Sequence, residues 1–239
     1  MKVGFESKRI FTNFTGLGNY GRFIVSSLSD EFPTNQYYLY TPYNAAHPEV
    51  QSIRSRKNID VITPRGFYKL FPSVWRSVGI SSHSTARELN IFHGLSQELP
   101  YALPRGVKKV VTVHDLIFLR HPEFYRSIDV SIYKSKVIHA CRIADRVIAI
   151  SAQTRNDLVH ILKIDRGKID VIYQGIHSIF RRPVSAEDVN EVKRRYGLPP
   201  EYLLNVGTIE PRKNLLTLVR ALGLLPSSVR IPLVVVGRK

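Results

Sequence analysis

A chain of 239 residues that is 44% hydrophobic and 23% charged has ordinary globular composition, long enough for one large domain or a domain and part of another. No apolar run reaches the roughly 20 residues of a membrane-spanning helix, the start MKVGFESKRI lacks the apolar core of a secretory signal, and the single Cys141 excludes an internal disulfide or a cysteine zinc cage, so a cytoplasmic location is expected. A net charge of +16 draws the chain toward nucleic acid, anionic lipid headgroups or a diphosphate-bearing substrate, and the scattered basic residues, without zinc-finger spacing or an RNA-binding aromatic signature, make nucleic acid the least favoured of these.

Short β-branched runs alternate with helical stretches, which predicts an α/β fold with a mainly parallel sheet covered on both faces. The first predicted strand is Val3–Glu6. After Ser7–Thr15 comes Gly16-Leu17-Gly18-Asn19-Tyr20-Gly21, opening a helix whose buried side is expected at Tyr20, Phe23, Ile24 and Leu28. The spacing matches the dinucleotide fingerprint, but that motif needs the strand to run almost directly into the glycines and an acidic residue ending the second strand. Here the second predicted strand, Tyr37–Tyr40, runs into Thr41-Pro42, and a nicotinamide enzyme is disfavoured. A glycine loop at a helix start can still take an anion on its N–H groups, and it can equally be a flexible turn.

Strand Ile59–Ile62 is followed by Phe67, Leu70, Phe71, Val74, Trp75 and Val78 beside Arg65, Lys69 and Arg76. This stripe reads either as a membrane-surface helix or as a buried core helix, with Pro72 confining regular helix to its C-terminal side unless the helix kinks. Further strands are predicted at Ile91–His93, Val110–Val113, Val147–Ile150 and Ile169–Tyr173. Val130, Tyr133, Val137, Ala140 and Ala144 mark a helix leading into the Val147 strand, and Ser151 is placed to cap the next helix, beginning near Gln153. His93 and the pair His114-Asp115 fall at strand ends, where open α/β sheets bind ligands.

The periodicity breaks at Gln174–Pro183, which predicts a first domain over 1–175, a connector at 176–183 and a new unit from 184. In that unit Ser185 and Asp188 resemble a helix-start pair, and Val189, Val192 and Tyr196 give the helix an apolar face. Strand Tyr202–Val206, a helix through Leu215, Leu218, Val219, Leu222 and Leu225, and strand Leu233–Val236 complete one βαβ unit. One such unit cannot cover both faces of its sheet, so 184–239 is expected to be an incomplete domain. Arg212 and Lys213 sit at the turn before the Leu215 helix, with Asn214 as its expected N-cap, where cations and free N–H groups converge on an anion. A serine nucleophile elbow, a P-loop and an H-E-x-x-H helix are all lacking.

Four segments, FTGLGNYGRF, TVHDLIF, DRVIAISAQTRNDL and NVGTIEPRKNL, resemble in order and spacing the family 4 retaining glycosyltransferases. The resemblance implies a GT-B fold of two facing Rossmann-like domains, the acceptor held mainly by the first and a nucleotide-diphosphate sugar by the second. It implies front-face transfer with retention, the departing phosphate oxygen helping to remove the acceptor proton, and no metal or other cofactor. On that basis His114 and Asp115 are the catalytic candidates; Gly16, Gly18, Gly207, Thr208, Arg212 and Lys213 serve the donor phosphates; Tyr20 and His93 lie on the acceptor side. Thr208 departs from the Arg that many relatives carry there, a loss that Arg212 is placed to offset. The E-x7-E region of relatives is not present, so the 239 residues alone are expected to be inactive. The implied acceptor is a glycan or a lipid-linked glycan of surface polysaccharide assembly, at the inner membrane face. A non-catalytic sugar-phosphate-binding or interaction module is the alternative, because a fold does not guarantee turnover.

Overall fold

Each predicted strand of the first unit forms, and all neighbouring strands pair in parallel because a crossover, usually helical, follows each one. The structure, a computed structural model, describes residues 1–237 and divides into two compact units, Met1–Gly175 and Ile176–Lys239. In the first, β1 (Lys2–Glu6), β2 (Gln36–Tyr40), β3 (Ile59–Ile62), β4 (Ile91–Gly94), β5 (Lys108–Val113), β6 (Arg146–Ala149) and β7 (Ile169–Val171) lie in the order 3-2-1-4-5-6-7. The order reverses between β1 and β4, which makes the C-terminal edge there the topological switch point of the sheet. Strand β7 stops at Val171 rather than Tyr173, where its pairing with β6 ends.

Alternation along a strand sends its side chains to two separate cores. Tyr37 and Leu39 of β2 join Phe5, Ile10 and Val25 on one face, while Tyr38 and Tyr40 join Trp75, Phe92 and Val111 on the other. The covering helices are α1 (Lys8–Thr12), α2 (Gly16–Glu31), α3 (Pro48–Arg54), α4 (Pro72–Ser77), α5 (Ile117–Arg120), α6 (Ser127–Ile143) and α7 (Ala152–His160). In α6 the expected stripe is buried at Val137 and Ala140, whereas Tyr133 is exposed. Cys141 lies in this core, and burial pushes its thiol up to about 12, leaving it protonated and unreactive. Ser151 caps α7 by accepting the Thr154 N–H at 3.0 Å.

Helix α1 was not anticipated, and it changes the meaning of the glycines that follow. A Cβ on Gly18 would lie 1.6 Å from the Asn13 carbonyl oxygen, and one on Gly21 would lie 2.8 Å from Ile10 Cγ1. Both glycines therefore let α1 and its exit loop lie directly on α2. The deep face of α2 shifts accordingly to Tyr20, Gly21, Val25 and Ser29, leaving Phe23, Ile24 and Leu28 half-buried. Arg22, buried between the helices, donates to the carbonyls of Ile10 at 2.9 Å and Asn13 at 3.0 Å and pairs with Glu49 at 2.8 Å.

The second unit holds α8 (Ala186–Tyr196), β8 (Leu203–Val206), α9 (Leu215–Gly223) and β9 (Leu233–Val236), with β8 and β9 parallel. The stretch read as a connector contains a 3₁₀ turn at Ser178–Arg181. Ser185 accepts the Asp188 N–H at 3.0 Å, a cap worth about 1 kcal/mol, and Gly197 closes α8 in the left-handed region at φ 59°. Asn214 differs from expectation: its backbone is left-handed at φ 55°, and its side chain accepts the Thr217 hydroxyl at 2.7 Å instead of a helix N–H.

Candidate functional site

Strands β4 and β5 end beside each other at the sheet's C-terminal edge, and their registers bring His93, Thr112 and His114 to neighbouring positions. Thr112 Oγ1 lies 2.8 Å from His93 Nε2 and 3.1 Å from the hydroxyl of Tyr20, which reaches the sheet from α2. The Tyr20 ring stands edge-on to the His114 ring at 4.7 Å between centroids. Three residues singled out separately in the sequence thus form one buried cluster, and Thr112 is its unanticipated centre.

The hydrogen bonds of His114 fix its protonation. Its Nε2 lies 2.9 Å from the Leu95 carbonyl, which can only accept, so Nε2 carries the proton and Nδ1 accepts from the Gln174 amide at 3.1 Å. Burial lowers the His114 pKa, against smaller opposing effects of the Leu95 carbonyl and Asp115. His93 is held lower still, at about 4, by burial first and then by His114. Both rings are neutral near pH 7 and act as hydrogen-bonding groups. Asp115 is exposed; its Oδ1 accepts the Ile117 N–H at 3.1 Å, and its carbonyl accepts the Gln97 amide at 3.1 Å. Among the described residues no carboxylate is hydrogen-bonded to the side chains of the cluster.

Of the glycines, Gly16 alone opens onto free space at the start of α2, while the Gly18 N–H is already taken by Asn13 Oδ1 at 3.2 Å. In the same unit a cavity of about 50 Å³ is lined by Glu6, Arg76, Glu98, Tyr101, Lys136 and His139 among others. Arg76 Nε donates to Glu6 Oε1 at 2.7 Å and Lys136 to Glu98 at 3.0 Å, whereas Glu6 Oε2 and His139 Nε2 are buried without a protein partner. The space suffices for water or one small polar group. Its residues come from several separate elements, so no local motif announces it.

In the second unit Gly207 follows β8 at φ 154°, a conformation that favours glycine, and donates to the Val236 carbonyl at 2.9 Å. Thr208 is exposed beside it. The 3₁₀ turn Pro211–Lys213 then presents two cations in different states: Arg212 is paired with Glu210, while the exposed Lys213 ammonium has no partner among the described residues.

Residues 34–178, more than half of the chain, match Glycosyltransferase Family 4. This chain belongs to glycosyltransferase family 4. Similar proteins include the serotype-specific mannosyltransferase WbdA of Escherichia coli, 31% identical over 155 residues that make up 61% of this chain and 19% of that protein. The O-antigen chain mannosyltransferase B of Escherichia coli is 28% identical over 150 residues, 62% of this chain and 38% of that one. Among solved structures, Anabaena Alr3699/HepE in complex with UDP-glucose superposes with a TM-score of 0.65 at 16% identity, covering 98% of this chain and 60% of that one. WaaG, a glycosyltransferase involved in lipopolysaccharide biosynthesis, gives 0.64 at 13% identity, covering 98% and 62%. The family 4 chain therefore has the GT-B fold, and it spans about 60% of these solved relatives and a smaller share of the curated ones.

The neutral His93 in the family 4 chain has a thermodynamic consequence. Its pKa falls on folding from 6.5 to about 4, so the unfolded chain takes up this proton first as pH drops. The stability concerned is complete above pH 6.5 and is lost as pH falls toward 4, by up to roughly 3 kcal/mol. Urea unfolding across this window should show a shallower pH slope for His93→Gln, which cannot take the proton. Equal slopes in the two proteins would place the pH sensitivity elsewhere.

Proposed function

We propose that this family 4 glycosyltransferase moves a hexose from a nucleotide-diphosphate sugar to a glycan or lipid-linked acceptor, with retention of anomeric configuration, in surface polysaccharide assembly. The observation that carries the reading is the buried Tyr20–Thr112–His93 cluster with the neutral, tautomer-fixed His114 at the strand ends. Uncharged donors and acceptors of this kind match sugar hydroxyls. That no carboxylate among the described residues is bonded into the cluster fits a reaction in which the enzyme supplies no nucleophile.

In this scheme His114 orients the transferred sugar or its phosphate, Asp115 orients sugar or acceptor, and Tyr20 and His93 shape the acceptor side. Gly207, Thr208 and Lys213 serve the diphosphate, with Gly16 the one loop glycine open to a ligand, and no metal takes part. The named polysaccharide enzymes among the relatives support the pathway, and two of them being mannosyltransferases supports a hexose. The protein would work at the inner membrane face, where a lipid-linked acceptor is presented. None of the residues assigned here reads the donor's base or distinguishes its sugar, so the 239 residues by themselves should bind donor weakly.

The test is a transfer assay against uridine, guanosine and adenosine diphosphate sugars in a form of the protein that turns over. His114→Ala should reduce turnover by about 10², the scale for losing one oriented hydrogen-bond group in a closed site, and His114→Gln should recover part of it. Thermal melts establish that both variants fold. Unchanged kinetics in both would return His114 to a structural role, and no transfer from any nucleotide sugar would overturn the proposal.

A further inference from the structure

The stripe that read in sequence as either core or membrane surface divides in the structure. Tyr68 packs inward and Trp75 is buried, whereas Phe67 is 67% and Leu70 76% exposed, with Phe71, Val74 and Val78 exposed beside them. The division follows from Pro72: a 3₁₀ turn at Gly66–Lys69 ends before it, and α4 starts with it as first residue. The Phe67 and Phe71 rings meet at 4.7 Å just ahead of Pro72, and with Leu70, Val74 and Val78 also exposed the segment presents an apolar ridge. Contiguous exposed apolar side chains of this kind mark interaction surfaces.

Charge says which occupant. From Val61 to Arg87 the chain contains Arg65, Lys69, Arg76 and Arg87 and no Asp or Glu. Arg76 is neutralised by Glu6 and Glu98, while Arg65, Lys69 and Arg87 are exposed. We propose that the Phe67–Val78 ridge docks on an anionic lipid bilayer, its apolar side chains entering the headgroup boundary and Arg65 and Lys69 contacting lipid phosphates. Contact of this face with the same face of a second copy would bring two acid-free basic patches together, whereas an anionic surface compensates them. The inference rests on the membrane-face placement proposed above but not on the identity of donor or acceptor, so its failure would remove that placement and leave the transfer reaction to its own assay.

Trp75, the chain's single tryptophan, lies on α4 beneath the ridge and reports on this site alone. With vesicles containing phosphatidylglycerol and brominated acyl chains, binding should quench Trp75 fluorescence and weaken as salt is raised. The triple variant Phe67→Ser, Leu70→Ser, Phe71→Ser keeps the net charge of the chain. It should bind more than about tenfold more weakly, because the apolar insertion is lost. Unaltered binding by the triple variant, binding without Trp75 quenching, or equal binding to neutral phosphatidylcholine vesicles would each overturn the proposal. So would a dimer in sedimentation that the triple variant abolishes, which would give the ridge to a second copy.

Discussion

Replacing Lys213 by alanine is expected to lower glycosyl transfer about 10²–10³-fold in a form of the protein that turns over, the range measured for removing one electrostatic stabiliser from a closed site. The proposed reaction develops negative charge on a departing diphosphate, so its rate depends on a cation that is free to meet it. Lys213 is such a cation: exposed, unpaired among the described residues and just ahead of α9. No side-chain cap covers the start of that helix, because Asn214 turns its side chain to the Thr217 hydroxyl, and the helix start favours an anion. Arg212, one residue away, is already held by Glu210. Arg212→Ala should therefore cost much less than Lys213→Ala. Steady-state kinetics of the two variants decide the matter, and a larger loss from Arg212→Ala would transfer the phosphate role to it.

Gly18→Ala should destabilise the first unit by about 3 kcal/mol or more, at the upper end of overpacking costs, and lower its melting temperature by roughly 6–12 °C. The added Cβ would sit 1.6 Å from the Asn13 carbonyl oxygen and 2.8 Å from that of Arg9. Both are backbone atoms, so relief requires moving α1 off α2 rather than turning a side chain. Displacing α1 would also disturb the carbonyls that hold Arg22. Gly16→Ala is the control, since nothing lies within 4 Å of its Cβ position. It should leave the melting temperature nearly unchanged, and any loss of donor use in that variant would bear on the open helix start. Equal melting temperatures for Gly18→Ala and the parent chain would show that the contact yields without cost.

The contrast between these two glycines shows where sequence reading stops. Both occur in one motif, and local pattern treats them alike. What separates them is α1, a five-residue helix too short to show a periodic stripe. The same limit applied to the apolar run from Phe67 to Val78, whose spacing suits a buried face and a membrane-facing ridge equally well. Pro72 was legible as a break, but which side chains turned inward depended on the core that received Trp75 and Tyr68. Asn214 looked like an N-cap by residue type, and its left-handed backbone sent the side chain elsewhere.

The amino-acid sequence alone determined the α/β class, the parallel strands, the break after the first 175 residues and the placement of His93, His114 and Lys213 at strand ends or a helix start. Those features are written in local periodicity and in residues next to one another. Only the tertiary structure decided that Tyr20 meets Thr112 across 92 residues, that Thr112 joins Tyr20 to His93, and that the Leu95 carbonyl fixes the tautomer of His114. Those contacts depend on strand order and register, since a slip of one residue would turn Thr112 to the opposite face of the sheet.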